Sequence, residues 1–120
     1  MAQGAESLDE AERKRVWADF RSAVNMSPAA LEKWLRTEES RSVGWTHEGE
    51  SEAVGHQEGR RIVEIRRRRK SDLTEDDYRH MRKVVGYVHR HMAQGGPKED
   101  KTHSRWRYSL MNWGHDPLKA

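Results

Sequence analysis

The densest set of chemically capable side chains in the sequence is the basic run "RRRRK" at residues 66–70. Arginine and lysine side chains bind the phosphate oxygens of nucleic acids, so such a run is typical of a polyanion-binding surface. The same residues also suit the last turn of a helix, where positive charge stabilises the negative end of the helix dipole. The basic run by itself leaves both interpretations open.

Acidic neighbours reduce the charge of the basic run. Residues 60–77 contain seven basic and five acidic side chains, which leaves a net charge of only +2. Glu64 lies four residues before Arg68, the spacing of side-chain pairs on one helix face, and Asp72 and the acidic residues after Thr74 follow. We therefore treat the run as an adjoining patch, in which the candidate phosphate-binding residues are Arg66, Arg67, Arg69 and Lys70.

A second set of basic residues falls on one face of the next predicted helix. At about 100° per residue, its members lie within about 100° of one another. They lie opposite an apolar face, which the spacing predicts to be Tyr78, Met81, Val85, Val88 and Met92. This set, the cationic stripe, consists of Arg79, Arg82, Lys83 and Arg90. The segment from Tyr78 to Lys98 contains no acidic residue. A basic face about 16 Å long is suited to lie along phosphates, and Gly86 would allow close approach; the alternative is a solvated helix face.

The C-terminal segment interleaves arginines with aromatic residues that could stack on bases. Trp106, Leu110 and Trp113 step by four and three residues, however, so they share one helix face. We expect that face to dock on the core, which leaves Arg105 as a candidate surface contact.

Metal binding and catalysis find little support in the sequence. There are seven histidines and no cysteine, and His89 and His91 point about 160° apart on a helix. The pairs His47-Glu48 and His115-Asp116 stand alone, and no zinc, phosphate-loop, dinucleotide or nucleophile motif is present. We expect no metal, no cofactor and no enzymatic activity.

Apolar spacing predicts an all-α fold of five helices around a long loop. Ser27 before Pro28 and Thr74 before Asp77 predict two helix starts, and Gly95 predicts a helix end. The predicted helices span about 8–24, 27–37, 58–70, 74–94 and 106–113, with a loop at 38–57. We expect a mobile N-terminus at residues 1–7 and a single helical domain at 8–118.

The third and fourth predicted helices and their short connection have the length of a helix-turn-helix unit. In such a unit the first turn of the second helix faces the bases. Here that turn contains Glu75, Asp76 and Asp77, and negative charge at this position opposes insertion into DNA. The charge pattern therefore disfavours this interpretation.

Charge is distributed unevenly along the 120 residues, since residues 1–59 have a net charge of −5 and residues 60–120 a net charge of +8. A basic half suggests a polyanionic partner, although the two halves could also attract each other. Only 33% of residues are hydrophobic, and no apolar run has the length of a membrane span. We expect a soluble protein without membrane contact, located in the cytoplasm, at the nucleoid or, in a eukaryote, in the nucleus.

Three segments carry a resemblance to a known family: "MSPAALEKWLRTEESRSVG", "LTEDDYRHMRKVVGYVHRHMAQ" and "RWRYSLMNWGHDPLK". Over residues 14–119 the chain resembles a family of small uncharacterised bacterial and fungal proteins, grouped as a domain of unknown function. Some members are labelled DNA-binding proteins. The resemblance implies nucleic-acid binding but no catalytic or binding residues.

The sequence thus predicts a small DNA-binding protein that contacts duplex phosphates through the cationic stripe, with little base specificity. The alternative is a protein-interaction or homo-oligomerising helical module without nucleic-acid binding. That module would use the acidic first half and the 38–57 loop, with Trp45 exposed.

Overall fold

The computed structural model of the protein describes residues 8–44 and 53–119. The predicted mobile N-terminus and Trp45 lie outside these residues. The described residues form six α-helices and a short 3-10 turn at Lys70–Asp72, without a strand, which confirms the predicted all-α class. The helices are α1 (Glu10–Ala23), α2 (Pro28–Trp34), α3 (Glu38–Arg41), α4 (Val54–Arg67), α5 (Glu75–Gln94) and α6 (Arg105–Asn112).

Local capping explains where α1 and α2 begin. Asp9 accepts a hydrogen bond from the Glu12 backbone N–H at 2.8 Å, and the Glu12 carboxylate accepts one from the Asp9 N–H at 3.1 Å. Ser27 caps α2 by accepting from the Ala30 N–H at 3.1 Å, with Pro28 in the first turn as predicted. Each such cap stabilises a helix by about 1 kcal/mol.

The predicted loop at 38–57 is wrong at both ends. Thr37 caps α3 by accepting from the Ser40 N–H at 3.1 Å, so the chain after α2 enters a new turn of helix. At the other end α4 begins at Val54 after Ala53, whose side chain provides no cap. Helix α3 is too short to show an apolar period, and the start of α4 carries no capping signal. The sequence pattern therefore revealed neither feature.

Helix α4 is also displaced toward the N-terminus relative to the predicted helix at 58–70. Gly59 lies inside α4 and is buried against its neighbours. A Cβ there would collide with the Asn112 carbonyl oxygen and lie 2.9 Å from Leu35 Cδ2. The glycine therefore permits close packing of α4 on α2 and α6. The helix ends at Arg67 because Arg68 adopts an extended conformation.

Helix α5 has the predicted bounds. The capping box of Thr74 and Asp77 is formed, and Gly95 ends the helix in the left-handed region at φ 81°. Its buried face differs from the predicted one, since Val84 is fully buried while Met92 remains 38% exposed. The reason is that α5 packs on α1 and also contacts α6, which turns Val84 into the core.

Helix α6 closes the core, as its apolar spacing predicted. Leu110 is fully buried and Trp113 stacks on Tyr87, with ring centroids 4.0 Å apart. Asn112 is 1% exposed and links three elements. Its Oδ1 accepts from the Trp34 Nε1–H at 2.7 Å and from the Ser40 hydroxyl at 2.5 Å. These buried hydrogen bonds of Asn112 hold α2 and α3 against α6.

Candidate functional site

The cationic stripe lies on the solvent side of α5, opposite the residues that face the core. All four of its residues are exposed, whereas Met81, Val84 and Val88 on the other side are buried. The long, regularly capped helix keeps the four side chains on one surface. The sequence-predicted position of the stripe thus agrees with the burial pattern of α5.

Two residues of the cationic stripe are paired with carboxylates. Arg79 Nη2 lies 3.3 Å from Glu75 Oε2, and Glu75 is also bound by Arg13 at 2.7 Å. Lys83 Nζ lies 3.3 Å from Glu58 Oε2 of α4. These pairs compensate part of the positive charge of the stripe.

Arg82 and Arg90 form no ion pair with any side chain in the described part of the chain. They lie eight residues apart, which is about 12 Å along the helix axis. The Arg90 guanidinium folds back over Gly86, so that a Cβ at Gly86 would lie 3.1 Å from Arg90 Nη1. The uncompensated charge of the stripe therefore resides on these two arginines, and the space at Gly86 accommodates one of them.

The side chains of the basic run contact different neighbouring elements. Arg66 donates hydrogen bonds to the carbonyl oxygens of Val24 at 3.3 Å and Met26 at 3.2 Å. Arg67 binds both carboxylate oxygens of Glu32 at 3.2 and 3.3 Å. These two arginines fasten the end of α4 to the α1–α2 connection and to α2.

The remaining residues of the run follow the chain out of α4. Arg68 Nη1 lies 2.7 Å from Asp77 Oδ2, and Arg69 Nε lies 3.2 Å from Asp72 Oδ2. Lys70 Nζ lies 4.4 Å above the ring of Trp17. Arg68 pairs with Asp77 rather than with Glu64 because it has left the helix. The expected compensation by Asp72 and by the acidic cap of α5 is present.

Asp77 is the electrostatic link between the basic run and α5. Its side chain is 5% exposed and also lies 3.4 Å from Arg61 Nη2. Burial raises the pKa of the Asp77 carboxyl, but hydrogen bonds from Thr74 and the charges of Arg68 and Arg61 outweigh burial, so the pKa lies below its ordinary value. The carboxylate is thus held ionised in the fold.

Arg105, the remaining predicted contact residue, is exposed at the start of α6. Its Nη1 donates to the Ser42 carbonyl oxygen at 3.0 Å. The structure therefore places it beside the segment that follows α3, where it helps to hold that segment against α6.

A cavity of about 640 Å³ opens between α2, α3 and α4, and the sequence interpretation missed it. Its floor contains Leu35, Val63 and His56, and Glu32 and Glu64 belong to its walls. The arginines that line it are Arg36, Arg41, Arg60, Arg67 and Arg68. Arg36 and Arg41 fell at or near a predicted loop, which hid their proximity to α4. The available signal was the placement of Arg60, Glu64 and Arg67 on one helix face.

The histidine pairs take structural positions where the structure describes them. His115 Nδ1 lies 2.7 Å from the Ala23 carbonyl oxygen, and Asp116 is held by Arg107 at 2.9 Å. The pair His47-Glu48 lies outside the described residues. Within residues 8–44 and 53–119, no three histidine, aspartate or glutamate side chains come together as a metal site.

Fold and surface define a small all-helical domain with an exposed basic helix face and an arginine-lined cavity. The chain belongs to the family described as "Protein of unknown function (DUF3140)", which matches residues 19–111. This confirms the expected domain-of-unknown-function family. No curated protein and no solved structure shows significant similarity to the chain. None of the helices in the described ranges is both long and apolar enough to cross a membrane.

Proposed function

We propose that the protein binds duplex DNA through phosphate contacts of the cationic stripe, with little base readout. The observation that carries this proposal is the solvent face of α5, where Arg82 and Arg90 are exposed and unpaired with the described side chains. Each guanidinium is planar and offers several donors, so it suits phosphate oxygens. The resemblance to proteins labelled as DNA-binding supports the same conclusion.

Low base specificity follows from the charges at the start of α5. Reading a major groove with this helix would require its first turn to approach the bases. That turn contains Glu75, Asp76 and Asp77, and the Asp76 side chain is 72% exposed. Phosphates repel these carboxylates, so the helix must lie along the backbone with its side rather than insert its end.

The basic run contributes less than its charge suggests. Arg66 is directed to backbone carbonyls, Arg67 to Glu32 and Arg69 to Asp72. A phosphate would have to displace these partners before it could bind the guanidinium groups. We therefore assign the main contacts to the cationic stripe and a secondary role to Arg66, Arg67, Arg69, Lys70 and Arg105.

Fluorescence anisotropy with a labelled random-sequence duplex of about 20 base pairs tests the proposal. Phosphate contacts release bound counterions, so the logarithm of the binding constant should fall linearly with the logarithm of salt concentration, with a slope of about −0.9 per contact. We expect a slope of about −2 to −4 and similar affinity for unrelated duplexes. Absence of duplex binding at low salt would contradict the proposal.

A further inference from the structure

We propose that the arginine-lined cavity binds an organic phosphate of nucleotide size, with its phosphates on the arginines and an apolar part on the floor. The cavity of about 640 Å³ lies between α2, α3 and α4. Small-molecule sites in proteins span roughly 300–1,000 Å³. The volume therefore suits a compact ligand.

The walls of the cavity specify a ligand with several negative charges. Five arginines and two glutamates line it, and these seven side chains have a net charge of +3. Arg67 and Arg68 already bind Glu32 and Asp77. Arg36 and Arg41 are exposed and form no ion pair with the described side chains. These two arginines are positioned to receive phosphate oxygens in fork geometry.

The floor of the cavity specifies an apolar part on the same ligand. The aliphatic residues Leu35 and Val63 line the cavity and are 5% and 6% exposed. His56 is buried, and its Nε2 lies 2.5 Å from the Leu35 carbonyl oxygen. With the Nε2–H donating, the Leu35 carbonyl oxygen is satisfied, and the bond ties α4 to the end of α2. A flat or aliphatic group placed there would remove apolar surface from water.

The cavity is separate from the cationic stripe and shares only Arg67 with the secondary DNA contacts. On α4, Glu58 and Arg61 face α5, where they contact Lys83 and Asp77. Arg60 and the rest of the cavity wall belong to the side that packs toward α2. The ligand site can therefore be tested without altering the cationic stripe, and it does not depend on the proposed function.

Isothermal titration calorimetry on the full chain tests the site with ATP, GTP and NADP⁺, together with tripolyphosphate and adenosine. We expect at least one of the three organic phosphates to bind one per chain with a Kd below about 1 mM. It should bind at least about tenfold more tightly than either tripolyphosphate or adenosine. Only the complete molecule contacts both the arginines of the walls and the apolar floor. Failure of all three to bind, or equal binding of tripolyphosphate, overturns the proposal.

Matched variants locate the binding. The double variant Arg36→Gln/Arg41→Gln should weaken the organic phosphate by at least about tenfold, since it removes two charge-assisted contacts. Glu64→Gln should strengthen it by roughly twofold or more because a negative wall charge is lost. Arg82→Gln/Arg90→Gln serves as the control and should leave the Kd unchanged. Equal loss in the control and the cavity variant would overturn the assignment.

Two further measurements remove trivial explanations. Thermal unfolding by circular dichroism should show that the exposed Arg36 and Arg41 can be replaced without loss of the fold. A saturating random duplex should leave binding of the organic phosphate unaltered. Displacement by duplex, combined with loss of DNA binding in the cavity variant, would show that the cavity belongs to a nucleic-acid surface and would overturn the proposal.

Discussion

The basic run and the cationic stripe contain nearly the same number of positive side chains, but the fold uses them differently. In the run, Arg67, Arg68 and Arg69 each have a carboxylate partner, and Arg66 has two carbonyl partners. In the stripe, Arg82 and Arg90 have no carboxylate partner among the described residues. The shorter and denser cluster is thus the more neutralised of the two.

Geometry explains the difference. Consecutive residues at a helix end point in different directions, so the five side chains of the run reach α1, α2, α5 and the connecting turn. Residues three, four and seven apart on a long helix share one face and reach few other elements. Charge density in a sequence therefore does not measure the charge that a surface offers to a partner.

The largest expected effect comes from the carboxylate that neutralises the run. Asp77→Ala should lower the free energy of unfolding by about 3 kcal/mol, because the Thr74 N–H loses its acceptor in the capping box and Arg68 loses its buried partner. Urea denaturation monitored by circular dichroism measures this change.

The neighbouring residue supplies the matched control. Asp76 is in the same turn and pairs with Arg61, but its side chain is 72% exposed. Asp76→Ala should therefore change stability by less than about 0.5 kcal/mol. Equal costs for the two variants would show that burial of Asp77 is not what makes its contacts strong.

Charge reversal separates the two basic surfaces in DNA binding. Arg82→Glu/Arg90→Glu should weaken duplex binding by about 10- to 100-fold and reduce the salt slope by about 2, because two phosphate contacts are lost. Arg67→Glu/Arg69→Glu has the same net charge and should weaken binding less. Anisotropy across a salt series compares the two double variants. An equal loss of duplex affinity would show that the basic run contributes as much to DNA binding as the cationic stripe.

Within the basic run, the free energy of unfolding should depend more on Arg66 than on Arg69. Arg66→Met should lower the free energy of unfolding by about 1–2 kcal/mol, since the carbonyls of Val24 and Met26 lose a charged donor. Arg69→Met is the control, because the Arg69 side chain is 83% exposed, and its cost should stay below about 0.5 kcal/mol. Thermal or urea unfolding measures both, and a larger cost at Arg69 would contradict the division of roles within the run.

The smallest effect concerns the junction between α4 and α5. His80 is 7% exposed, and its Nδ1 lies 3.0 Å from Glu58 Oε1, while its Nε2 has no partner among the described residues. Burial lowers the pKa of His80; Glu58 and Asp77 oppose this effect, and the charges of Arg61 and Lys83 reinforce it. The neutral ring is the form that the fold favours.

A lowered pKa makes stability depend on pH in a defined direction. The unfolded chain takes up a proton near pH 6.5, while folded His80 resists it until lower pH, so stability is complete above about pH 6.5 and falls below it. The free energy of unfolding should therefore decrease from pH 7.5 to pH 5.5. His80→Gln should make this decrease smaller in urea titrations at the two pH values; an unchanged decrease would assign it to other groups.

Local signals made much of the fold predictable. Ser27, Thr74 and Gly95 mark the helix ends that their side chains or backbone stabilise within four residues. The same reasoning failed at α3 and at the start of α4. Helix α3 has four residues and is held by Asn112, which lies 72 positions away from Ser40. A contact of that separation leaves no period in the sequence.

The same distinction between local signals and long-range contacts applies to the candidate sites. The sequence by itself determined the cationic stripe, because a helix of 20 residues places side chains by local geometry alone. Only the tertiary structure decided which charges are neutralised, since Arg67 meets Glu32 from 35 residues away and Lys83 meets Glu58 from 25. It also decided that three helices line the arginine-lined cavity, because partners distant in sequence become neighbours only when the core packs.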